Sequence, residues 1–196
     1  MEFTQRQNIK YVASLLFLAV ITQAIYTALY VAANEVPRQW LWGLEGVLFV
    51  VLAAVAGSAL VQSKKYTLGF SAILVSAIFN VVQVGIGLTQ FGAFREAAQA
   101  VEGLAPATGS VVALSFFIYN AAKILLGLSA VIFGVAVLKA GSIWLGRLTV
   151  LLGMVAIVTN TIVVMFGRID GVPSGATGVV ATLLLAVCLF KLQDQD

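Results

Sequence analysis

Six apolar stretches, each long enough to cross a lipid bilayer, are separated by short polar breaks. They run over residues 11–33, 40–61, 66–91, 111–138, 143–166 and 172–190. About 20 apolar residues of helix span the hydrocarbon, so every one of the six suffices. Of the 196 residues 61% are hydrophobic and only 10% charged, where a globular domain carries about 25% charged residues to wet its surface. That balance excludes a soluble domain, and it equally excludes a disordered or fibrous chain. The expected fold is all-α: a polytopic bundle of six transmembrane helices forming a single integral membrane domain over residues 1–196.

The breaks agree with this reading. One contains Pro37, one is the basic turn at Lys64 and Lys65, one contains Gly141, and one runs from Gly167 to Gly171 just before Pro173. Only residues 92–110 form a long connection. From its edge onward Phe91, Phe94, Ala98, Val101 and Leu104 recur at helical spacing opposite Arg95, Glu96 and Glu102. This predicts a separate amphipathic segment over 92–106, lying on the outer leaflet and ended near Pro106.

Charge gives the orientation. With the N-terminus cytoplasmic, that side holds Arg6, Lys10, Lys64, Lys65, Lys139, Arg147 and Lys191, and the other side holds Arg38, Arg95 and Arg168. Seven against three is a positive-inside bias, so both termini are expected in the cytoplasm, with a bacterial cytoplasmic membrane as the setting. The first stretch is longer than a signal-peptide core and contains Thr22 and Gln23, so it reads as an uncleaved span. The net charge of +3 follows from topology and anionic lipid, and no basic cluster with aromatics points to nucleic acid.

Catalytic chemistry finds little to work with. The chain has no His and one cysteine, Cys188, which removes imidazole acid–base chemistry, Ser-His triads, His-containing metal sites and paired-thiol chemistry. Ser174, in Pro-Ser-Gly, has no base to activate it, and Asp170, Asp194 and Asp196 fall in a loop and the tail. An enzyme is the third reading, behind binding or transport and an accessory role, and no cofactor or metal is expected.

Polar residues within the spans carry the functional signal. Counted from the cytoplasmic edge at about 1.5 Å per residue, Glu45 and Lys123 are expected level with one another, in the outer half of the bilayer. Asn80, Gln83 and Asn160 fall near the same depth, with Gln23 and Tyr26 level or just below. Asn120 and Lys123, Asn80 and Gln83, and Gln23 and Tyr26 are each three apart, and Ser115, Tyr119 and Lys123 are four apart, so each set shares one helix face. A lone charge in hydrocarbon costs about 2.5–3.5 kcal/mol or more, so Glu45 and Lys123 should pair or face water.

A self-overlay shifted by 77 residues sets Gly57 on Gly134, Gly69 on Gly146 and Gln83 on Asn160, a parallel repeat of two helix hairpins or a chance match in an apolar chain. Trp40 and Trp42 read as interfacial anchors. Gly171, Gly175 and Gly178 allow close approach of a neighbour in the same chain or across an oligomer interface.

The expectation is a bundle whose central four helices enclose an outward-facing polar pocket that binds or transports a small polar or zwitterionic solute. Its ligand-binding candidates are Glu45, Lys123, Asn120, Asn80, Gln83, Asn160, Tyr119, Gln23 and Tyr26. The alternative is a non-catalytic accessory or assembly subunit of a larger membrane complex. The partners are then the lipid bilayer, a small-molecule solute, and either a second copy of the chain or a membrane-complex partner.

Overall fold

The computed structural model describes residues 3–32, 39–167, 169 and 171–193. Pro37, Arg38, Arg168, Asp170, Asp194 and Asp196, used in the readings above, lie outside the described residues, as does the side chain of Glu102. Among the described residues every regular element is helical. The six long helices are α1 Gln5–Val31, α2 Gln39–Gln62, α3 Thr67–Ala100, α4 Ala105–Lys139, α5 Ile143–Phe166 and α6 Ser174–Gln193. All six are long and apolar enough to cross a membrane, which marks an integral membrane protein.

Local chemistry sets the ends. α1 begins before its apolar stretch because Thr4 and Gln7 form a capping box, each side chain meeting the other's backbone N–H. The extra turn carries Asn8 into the interior, where its amide donates to Ser58 Oγ at 2.8 Å and Gln62 Oε1 at 2.9 Å. α4 stops at Lys139 because Gly141, at φ 95°, turns the chain while its N–H and that of Ser142 bond the carbonyls of Leu138 and Val137.

The long connection differs from the expected surface segment. α3 continues unbroken through residues 92–100, a run of good helix formers holding no proline, and a single 3₁₀ turn, Glu102–Leu104, leads into α4 with Pro106 in its first turn. At 34 and 35 residues, α3 and α4 are each about 50 Å long against a hydrocarbon thickness of about 30 Å. They form a projecting hairpin. Phe91, Phe94 and Ala98 are half-buried, and the Thr108 hydroxyl donates to the Phe94 carbonyl at 3.0 Å, so this part of the apolar stripe packs toward the partner helix, while Val101 and Leu104 at its end stay exposed.

The packing order also departs from the expected central four. α1 packs on α2 and α6, α2 on α3, α3 on α4, and α4 on α6, which closes a ring of five helices. α5 lies outside that ring, against α4 and α6. α1 and α4 therefore face each other across the ring rather than touching through their backbones. Leu16, Phe49, Phe70, Ile73, Leu126 and Phe133 fill the interior toward the end that carries the termini. The rings of Phe70 and Phe133 meet edge to face at 5.1 Å.

Two seams hold the stagger of the helices. On α3 and α4, Ser76 Oγ donates to the Ala122 carbonyl at 3.0 Å and Ser129 Oγ to the Gly69 carbonyl at 2.9 Å. On α4 and α5 the backbones nearly touch: a methyl on Gly127 would stand 2.9 Å from the Gly153 carbonyl oxygen, and one on Gly134 would stand 3.2 Å from that of Gly146. Both seams repeat every seven residues, the recurrence of near-antiparallel helices packed through small side chains.

Candidate functional site

The site begins with one glutamine. Gln23, buried on α1, donates its amide N–H to Glu45 Oε1 at 2.5 Å, and its amide oxygen accepts from Lys123 Nζ at 2.9 Å. Among the described residues Glu45 and Lys123 form no direct ion pair; Gln23 stands between them. Both charges are buried, at 6% and 1% exposure. This is the only hydrogen-bonded link across the ring between α1 and α4 among the described residues.

The expected equal depth of Glu45 and Lys123 does not hold for their backbones. Val84 meets Gly46 and Trp42 meets Gly87, which sets Glu45 near the level of residue 85 on α3, whereas the Ser76 bond to Ala122 sets Lys123 near residue 75. The offset is about ten residues, roughly 15 Å of rise. Counting from loop ends missed it because the helices are staggered. Long side chains span the difference: Cβ bonds tilt toward a helix's N-terminus, so Lys123 leans away from the terminal end while Gln23 on the oppositely running α1 leans toward it.

Lys123 is threaded through its surroundings. Its Nζ lies 5.0 Å from the centroid of the Tyr119 ring, a cation–π contact. On the other side, a Cβ on Gly178 would come within 2.8 Å of Lys123 Cγ and Cδ, and one on Gly175 would stand 3.9 Å from the Tyr119 hydroxyl. The glycine face of α6 is thus turned inward, toward the lysine stem.

The remaining candidates occupy three further places. Gln83 lies in the α3–α4 seam, donating to Ser115 Oγ at 3.3 Å. Asn80, fully buried, shares α3's inward stretch with Ile73, Ala77 and Val84 and donates to the Ser76 carbonyl at 2.9 Å. Asn120 and Asn160 continue the glycine seam: Asn120 is one heptad before Gly127 and Asn160 one heptad after Gly153, so the same register sets them opposite each other on α4 and α5. Asn160 also donates to the Ser174 carbonyl, the start of α6, at 3.2 Å. Tyr26 stands apart from these, stacked on Trp42 with centroids 5.1 Å apart and planes 13° from parallel.

Asn80, Asn120 and Asn160 have one feature in common. Each turns its N–H onto the carbonyl four residues back in its own helix, and each leaves a buried Oδ1 with no hydrogen-bond partner. An unsatisfied buried acceptor costs about 1–3 kcal/mol, so three of them form a set of acceptors short of donors. Asn8 Oδ1, near the terminal end, is in the same condition. Asn8 is absent from the sequence-based candidates; the capping box Thr4–Gln7 is the signal in the sequence that α1 starts early enough to bury it.

No family model, curated protein or solved structure matches the chain.

Proposed function

We propose that the chain binds a small zwitterionic solute between Glu45 and Lys123 and carries it across a cytoplasmic membrane, with the termini on the cytoplasmic side. The observation that carries the reading is the insertion of Gln23 between two buried charges. A pair retained only to fasten helices gains most from direct, charge-assisted contact, because desolvation is otherwise poorly offset. Here the carboxylate meets an amide N–H and the ammonium meets an amide oxygen. A zwitterion presents the same two polarities with full charge and satisfies both residues once the Gln23 side chain swings aside.

In this reading Glu45 receives the cationic end of the solute and Lys123 the anionic end. Asn80 offers a carbonyl oxygen that nothing else uses. Gln83 steadies the neighbouring seam, and Asn120 and Asn160, opposite each other in the α4–α5 seam, respond to movement of α4 against α5 rather than touching a solute at Gln23. The accessory-subunit reading has less support, since Gly175 and Gly178, which could serve either a neighbour in the same chain or an oligomer interface, pack on Tyr119 and Lys123 of the same chain.

The test is uptake of radiolabelled glycine and glycine betaine by proteoliposomes. Glu45→Gln and Lys123→Met should each abolish uptake while the protein stays monodisperse in detergent. Uptake undiminished in both variants would refute the reading. Absence of uptake in every variant, with stoichiometric copurification of another membrane protein that survives the double substitution, would favour the accessory subunit.

A further inference from the structure

The polar centre is shielded very unequally on its two sides. Toward the terminal end it is followed by several layers of buried apolar side chains, from Leu16 and Phe49 through Ile73 and Leu126 to Phe70 and Phe133. Among the described residues the next layer toward the far end is thin: two rings beside the buried Leu41. Tyr26 lies three residues beyond Gln23 on α1 and Trp42 three before Glu45 on α2, so their stack sits one helical turn above the Gln23–Glu45 bond. Both rings are only half-buried, so the outer side of this layer already reaches the surface of the bundle.

Trp42 is held in that position from behind. Its ring meets Phe91 edge to face at 5.8 Å, and it lies so close to α3 that a Cβ on Gly87 would stand 2.9 Å from Cζ3. It was expected to be an interfacial anchor; Trp40, 59% exposed, fits that description, and Trp42 does not. A stacked pair of rings gains modestly beyond the area it buries.

The geometry points to Trp42 and Tyr26 as the gate of the polar centre, a one-layer aromatic shutter that admits solute from the side away from the termini. The inference deepens the solute reading, because it concerns access to the same residues. Rotation of Trp42 off Tyr26 uncovers Gln23 and Glu45 from the far side, while the thick apolar packing keeps the terminal side shut. Gly87 is the clearance that lets the indole lie flat enough to close.

Thiol labelling tests the gate without any solute, so a failed gate and a failed solute reading give different results. With the buried Cys188 replaced by Ala, a single cysteine is placed at Gln23 (Gln23→Cys) in sealed vesicles. A membrane-impermeant cationic methanethiosulfonate is added to one side at a time, with Gly103→Cys marking the far side and Lys64→Cys the terminal side. Labelling of the Gln23→Cys thiol should be slow, and only from the Gly103 side. Trp42→Ala should speed it about tenfold or more, the shift that losing roughly 1.4 kcal/mol of closed-state stabilisation gives. Gly87→Ala should also speed it, by displacing the ring, and Trp42→Phe should return it toward the slow rate in an equally stable protein. No acceleration in either Trp42→Ala or Gly87→Ala, or labelling from the Lys64 side, overturns the gate.

Discussion

A buried asparagine that leaves its carbonyl oxygen unused lowers the stability of the chain that carries it, and Asn80 is the clearest instance because nothing in its own seam requires that oxygen. Leucine has nearly the same shape and no polar atom to satisfy. Replacing an unsatisfied polar group by an apolar one of similar shape is close to neutral or stabilising. Asn80→Leu should therefore leave the thermal midpoint in detergent unchanged or higher while abolishing solute uptake. A fall in midpoint of more than about 1 kcal/mol equivalent would give Asn80 a structural role instead. Gly178 makes the opposite case. Its missing Cβ is the space the Lys123 stem occupies, so Gly178→Ala should destabilise by about 1–3 kcal/mol by overpacking. The loss should shrink when Lys123 is also shortened to Ala, a coupling that a double-mutant cycle of unfolding midpoints measures directly.

At the scale of helices, the α4–α5 seam was legible in the sequence and went unread. Asn120, Gly127 and Gly134 on one helix, and Gly146, Gly153 and Asn160 on the next, recur at sevens on either side of Gly141. The 77-residue self-overlay touches Gly134, Gly146 and Asn160 but compares them with α2 and α3 rather than with each other. Here both backbones are rigid, so a methyl on Gly153 has no flexible neighbour to push: it would face the Gly127 carbonyl at 2.9 Å. Gly153→Ala should cost about 1–3 kcal/mol. Gly92→Ala, in the projecting part of α3 with nothing within contact of the new methyl, should instead stabilise by about 0.5–1 kcal/mol through helix propensity alone. Opposite signs for two Gly-to-Ala changes, read as unfolding midpoints, separate close packing from propensity. The continuation of α3 through residues 92–100 was open to the same propensity argument. It was missed because the amphipathic stripe suits a membrane surface and a partner helix equally well.

At the scale of the whole molecule, six spans followed from length and apolarity, but the order in which they pack did not, since six stretches of similar hydropathy give no sign of which stands outside. That order places α1 across the ring from α4 and makes Gln23, rather than direct pairing, the link between Glu45 and Lys123. The fold depends on this link less than the proposed solute binding would. Small-residue seams on α3, α4 and α5 fix the stagger, and an apolar interior fills the terminal half. Removing one charge leaves the other buried without its compensation, at a cost of about 3–5 kcal/mol, whereas replacing a whole buried ionic group by apolar side chains is often neutral or stabilising. Lys123→Met alone should therefore lower the unfolding midpoint sharply. The triple variant Gln23→Leu, Glu45→Leu and Lys123→Met should recover it to wild type or above while remaining inactive in uptake. If the triple variant is instead the least stable of the set, the three residues hold the ring together, and the case for a solute site at Gln23 falls with that result.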